Sequence, residues 1–147
     1  MGRCFMIRQK FRLKEYDWSV QVYYAVDCYY TDEIMEALYS IGCRGKNLSV
    51  AFNNLSSCKL DTGLTYSNYS THETVMVIGI NSSAEEFMNS FCHERKHLEM
   101  HIAKTFNLNP WGEEVAYLSG KIGQKMYRIA KKFLCEHCRK HLIYGYS

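Results

Sequence analysis

The chain has 147 residues, of which 47% are apolar and 22% charged. That is the size of one ordinary domain and the composition of a globular one, which excludes a disordered chain and argues against separate binding and catalytic lobes. The net charge of +3 hides an asymmetry: residues 1 to 14 carry five basic side chains and no acid, residues 15 to 114 sum to −8, and residues 115 to 147 to +6. Basic ends can touch nucleic acid or an acidic partner, although solvated basic termini are the commoner outcome.

Residues Met1 to Tyr16 alternate basic and apolar side chains without an apolar signal core, and Met6 stands where a myristoylation signal needs Ser or Thr. Neither export nor lipid anchoring is expected. The longest apolar run, Val75 to Ile80, is far below the roughly 18 residues of a membrane span, so no membrane partner is expected either. Seven cysteines at uneven spacings do not resemble a small secreted disulfide framework, and reduced thiols in a cytoplasm are the expectation.

In chain order, Trp18 to Val26 is rich in β-branched and aromatic residues and predicts a strand. Thr31 then offers an N-cap for a helix to about Ile41, stopped by Gly42. Lys46 to Leu60 shows a weak helical period through Leu48, Phe52 and Leu55 and predicts a short helix. Leu64 to Tyr69 and Thr74 to Ile80 predict a hairpin whose second strand is buried. Ser83 with Glu86 three residues later forms a capping box for a long helix from Ala84 to about Asn107. After Pro110, Trp111 and Gly112 a second long helix starts near Glu113 and runs toward Leu134, its acidic first turn suiting the helix dipole. The result is an α+β arrangement in a single domain, 1–147, with the longest helices last.

The first long helix carries His93-Glu94-Arg95-Lys96-His97, the pattern H-E-x-x-H. At 3.6 residues per turn, residues four apart stack one above the other, so two imidazoles can converge on one ion while the intervening Glu leans toward the water that ion holds. Random placement of this composition yields the pattern only about 0.02 times per chain. Phe87, Phe91, Leu98, Ile102 and Phe106 fall in one sector of the helix and the two histidines well outside it, so the histidines are not part of the apolar stripe. The alternative is a pair of surface or hydrogen-bonded structural histidines.

A catalytic zinc site needs a third protein ligand and an open fourth position. His101 lies about 12 Å along a straight helix from His93, too far to share the ion with both others; it suits a supporting or substrate-facing role. The metzincin pattern is absent, because position 100 is Met and position 103 is Ala. A carboxylate remains, Glu113 or Glu114, if the Asn107 to Gly112 turn folds the next helix back across the first.

With these residues the chain resembles the gluzincin class of zinc metallopeptidases, in which H-E-x-x-H is completed by a Glu on the next helix, often as E-x-x-A; here Glu113-Glu114-Val115-Ala116. The stretch GEEVAYLSG, residues 112 to 120, is also similar to a segment downstream of H-E-x-x-H in small metallopeptidase-like proteins of bacteria and their phages. The resemblance covers residues 82 to about 127. It implies a zincin-like minimal core, a small sheet with a β-hairpin packed on the H-E-x-x-H helix and a following Glu-bearing helix. It further implies Zn²⁺ held by His93, His97 and Glu113, Glu94 as general base on the bound water, and a peptide or protein substrate. Tyr117, His72 and His101 are the candidates for stabilising the oxyanion. The departure is Arg95-Lys96, where many relatives carry small or apolar residues, which makes this helix more exposed or more basic.

Near the C-terminus, Cys135-Glu136-His137-Cys138 followed by His141 has the form of half a structural zinc site. A thioredoxin-like role would need a βαβ context that the sequence lacks. The plainer expectation is a helix end with reduced cysteines on its inner face. The runner-up function is a non-catalytic interaction protein, with or without metal, that contacts nucleic acid or a host protein through its basic ends.

Overall fold

The computed structural model describes residues 6–144. A four-stranded mixed sheet, in the order β1-β2-β4-β3, carries five helices on its two faces. Strand β1 (Ile7–Leu13) was not expected, although its sequence alternates with period two. Ile7, Gln9 and Phe11 are half-buried while Arg8, Lys10 and Arg12 face outward. It turns through Lys14–Tyr16 and a left-handed Asp17 (φ 49°) into β2 (Trp18–Val26), which it pairs antiparallel. The basic side chains on β1 are partly neutralised, since Arg8 pairs with Glu33 and Arg12 with Asp17.

Strand β2 is central, paired on its other side in parallel with β4 (Glu73–Gly79). Burial on both faces explains the continuous apolar run of β4 and of the second half of β2, whereas in the first half of β2 Ser19 is exposed and Gln21 half-buried and the sequence alternates. Their register breaks between Tyr24 and Val26, where Ala25 takes φ 59°, a bulge that bends the strand. The long connection from β2 to β4 contains α1 (Thr31–Ser40), α2 (Gly45–Leu55) and β3 (Gly63–Asn68), which pairs antiparallel with β4. Helix α2 stops five residues short of the expected Leu60, because the Ser56 and Ser57 hydroxyls donate back to Phe52 O and Asn54 O and close the last turn.

Helix α3 (Ala84–Phe106) starts as expected: Ser83 Oγ accepts from the Glu86 N–H at 3.1 Å. Asn107 ends it at φ 55°. Helix α4 (Glu113–Leu134) packs back against α3, and α5 (Glu136–Tyr144), unexpected from the sequence, packs on α4. One sheet face, with Val20, Val22, Tyr24, Met76 and Ile78, is covered by α3, α4 and α5; the other, with Tyr23, Val75 and Val77, by α1 and α2. Each fully buried Ile, Leu or Phe in these two layers contributes about 1.5–3 kcal/mol. Among the described residues no helix is long and apolar enough to cross a membrane.

The expectation of uniformly reduced thiols is corrected. Cys28, in the turn after β2, is bonded to Cys58, in the loop after α2. Thirty residues separate the two, and only the return of α2 along the sheet brings them together, a long-range pairing that spacing does not reveal.

Candidate metal and catalytic site

Helix α3 lies against β3 and β4 at the β3 edge of the sheet. Its expected apolar stripe is buried at Phe87, Phe91, Leu98 and Ile102, while Phe106 is partly exposed and rests against Tyr16, Trp18 and His72. That stripe fixes the rotation of the helix and leaves His93 and His97 on its exposed side. Their rings converge: His93 Nε2 and His97 Nε2 are 3.2 Å apart. Two nitrogens bound to one zinc at about 2.0–2.1 Å, with a near-tetrahedral angle, stand about 3.3–3.4 Å apart. The pair therefore fits two corners of a metal site. Without an ion the same spacing is that of a direct imidazole–imidazole hydrogen bond.

Glu94, about 100° around the helix from His93, is turned toward the sheet and is only 5% exposed. Gly63 makes this possible. A Cβ on Gly63 would stand 2.5 Å from Val77 O and 2.9 Å from Glu94 Oε2, so β3 can pass between β4 and the carboxyl only without a side chain there. Thr65 Oγ1 donates to Glu94 Oε1 at 2.7 Å. Burial pushes the Glu94 pKa up, against the opposing influence of the Thr65 hydrogen bond and of His93 and His97. Glu94 and His93 line one side of a cleft of about 320 Å³, whose other walls include Asn54, Asp61 and Gly63. Desolvation opposes ionisation of Asp61, but it is outweighed by hydrogen bonds from the Ser82 backbone and hydroxyl and from Asn81, so its carboxyl sits below the usual range.

His101 is held one turn beyond His97, with ring centroids 6.2 Å apart. Its Nδ1 is 2.7 Å from Ser67 Oγ, which is 2.7 Å from Thr74 Oγ1, which accepts from Trp18 Nε1 at 2.7 Å. One proton order that satisfies every link runs from the indole N–H through the two hydroxyls to Nδ1, leaving the His101 proton on Nε2. Burial lowers the His101 pKa, with smaller contributions from His97 and Lys104, so the ring favours its neutral form. Thr65, Ser67 and Thr74 were missed in the sequence. The available signal was the two-residue period of β3, which puts Thr65 and Ser67 on one face.

The structure does not bring Glu113 to the histidines. Gly123 on α4 lies level with Arg95, whose guanidinium would be 3.2 Å from a Cβ at that position. Glu113 is ten residues earlier, about 15 Å along the helix axis. Arg95 itself is about 160° around α3 from both histidines, so α4 packs on the side away from them. Glu114 is at that same distant end, close enough to Tyr16 to act with burial in raising the tyrosine pKa. Among the described residues no third His, Cys, Asp or Glu joins the pair. Of the oxyanion candidates only His101 stands beside it. His72 is stacked on Trp18 at 4.9 Å, and Tyr117 is exposed on α4. Arg95 is drawn into the α3–α4 side, 3.5 Å from Glu99, while Lys96 is solvated.

Set against family models, curated proteins and solved structures, the chain matches none.

Proposed function

We propose that His93 and His97 hold one zinc ion and that the chain is a zincin-like peptide hydrolase working in the cleft beside them. The observation that carries this reading is the 3.2 Å approach of the two Nε2 atoms next to a buried carboxyl that opens on a cleft. Zinc so held would supply Lewis acidity and bring the pKa of a bound water toward about 7. Glu94, with Oε1 fixed by Thr65, keeps Oε2 as the atom that takes up a proton, and its raised pKa suits it to hold that proton and return it. His101, anchored through Ser67, would donate from Nε2 along the same face when its ring is neutral with the proton there. Among the described residues no strand pairs with the outer edge of β3, where the Asn54 side chain donates to Gly63 O, and that edge would give an extended peptide a strand to pair with. Glu113 is not part of this proposal; the third ligand that a catalytic zinc ordinarily takes from protein would here come from substrate or solvent. The test is hydrolysis of a mixed peptide library with and without a chelator, beside Glu94→Gln. Activity abolished by both supports the reading, and activity indifferent to both overturns it.

A second reading, an interaction protein without turnover, is favoured by two observations. The pair lacks a third ligand among the described residues. In addition, Arg12 on β1, Lys14 just after it and Lys121 and Lys125 on α4 line one cleft of about 330 Å³ together with a single acid, Glu15, so basic side chains from both basic segments of the chain face the same space. An anionic partner such as nucleic acid would then bind with a steep loss of affinity on raising salt, and without any dependence on His97.

A further inference from the structure

Between α4 and α5 the chain makes a sharp turn at Cys135, which is extended (φ −105°, ψ 122°) and whose carbonyl accepts from Arg139 N at 2.8 Å. Cys135 is therefore the capping residue of α5. The side chain of a capping residue lies against the N–H groups of the first turn, here those of His137 and Cys138. The turn is clamped from beneath. Arg139, 2% exposed, donates to Asn81 O at 2.8 Å and to Glu136 Oε2 at 2.6 Å, while Glu136 Oε1 caps Ala84 N at the start of α3. Both sulfurs are exposed, which corrects the expectation that they lie on an inner face. Beside Cys138 opens a cavity of about 380 Å³ walled by Leu142, His137, His141 and Lys132.

A structural zinc site would need further ligands, and among the described residues no third His or Cys closes on the two sulfurs. Two exposed thiols three residues apart at a helix start are instead the arrangement of an exchanging dithiol. We propose that Cys135 and Cys138 form a redox-active pair that exchanges with accessible disulfides, Cys135 attacking and Cys138 resolving. The Cys135 thiolate attacks one sulfur of a disulfide RS–SR′; that S–S bond breaks, and RS⁻ leaves and takes a proton from solvent. Cys138 then gives up its proton, its sulfur attacks Cys135 Sγ, and R′S⁻ leaves and is protonated. Two protein thiols become one disulfide, and RS–SR′ becomes two thiols. The asymmetry of roles follows from position, since Cys135 caps α5, where the first-turn amides and the helix dipole favour a thiolate, and Cys138 lies inside the first turn. The Cys138 N–H, the Cys138 thiol and the His137 N–H hold Cys135 below the ordinary thiol range, while donation to Cys135 pushes Cys138 up.

The test uses the full chain, gently reduced, freed of reductant and exposed to glutathione disulfide at pH 7, with acid trapping and peptide mapping by mass spectrometry. Cys92, exposed on α3, is the internal standard. The wild type should accumulate a Cys135–Cys138 disulfide. Cys138→Ser should stop with one glutathionyl group on Cys135, at least about tenfold faster than on Cys92. Cys135→Ser should leave Cys138 no faster than Cys92. Equal rates at Cys135 and Cys92, or attack first at Cys138, would overturn the proposal. So would thiols that stay blocked until a chelator is added, which would make the pair a metal site.

Discussion

Glu94→Gln is the sharpest probe of the buried carboxyl, because the amide keeps the shape and can still accept from Thr65 Oγ1 while removing the charge. Burial raises the Glu94 pKa in the folded chain, so the folded state binds this proton more tightly than the unfolded state does. The stability this group contributes is complete below the unfolded carboxyl pKa and is lost as pH rises through the folded one. Above both, the ionised carboxylate costs about 1.4 kcal/mol for each unit separating the two values. For a chain of this length each kcal/mol moves the melting temperature by about 2–4 °C, so each unit corresponds to about 3–6 °C. In chelator-treated protein, Glu94→Gln should therefore melt above the wild type at pH 7.5, and the gap should close by pH 4. Thermal melts across that range measure it. A variant less stable than the wild type at pH 7.5, or a gap that does not change with pH, would refute the reasoning.

Gly63→Ala should destabilise the fold by about 2 kcal/mol, or about 4–8 °C, since its Cβ meets the Val77 carbonyl and the Glu94 carboxyl together; a melt within 1 °C of the wild type would contradict that packing. Replacing Cys28 and Cys58 together with Ser releases a loop closed across a sequence separation of 30 and should lower stability by about 3–4 kcal/mol, read from urea denaturation of thiol-free samples. Wild-type protein treated with reductant should fall to the level of the double variant, and that comparison also shows how the chain would behave in a reducing cytoplasm.

The elements legible in the sequence are those with strong local signals. The Ser83 cap and the apolar period of Phe87, Phe91, Leu98 and Ile102 define α3, and the runs at Trp18 and Thr74 define the two central strands. Strand β1 is hard to read from hydropathy because Arg8, Lys10 and Arg12 dilute its apolar content; its signal is the two-residue alternation. Helix α5 is short and polar, and its start rests on Arg139 and Glu136 reaching across to α3, a contact no local pattern encodes. The convergence of His93 and His97 follows from helical spacing, whereas the third ligand depends on which face of α3 receives α4. Arg95 and Gly123 decide that, and they set Glu113 apart from the pair. The hydroxyl chain from Trp18 to His101 joins three strands and a helix and becomes visible only once the sheet order is known.

Zinc titration of the purified chain, followed by calorimetry and by thermal melting, bears most directly on the metal site. One ion per chain should bind, and at a free concentration one hundred times its dissociation constant it should stabilise the fold by about 2.7 kcal/mol, or about 5–11 °C. His93→Ala and His97→Ala should each abolish that gain, and Glu113→Gln should leave it unchanged. Absence of binding, or zinc retained in full by His97→Ala, would contradict the account.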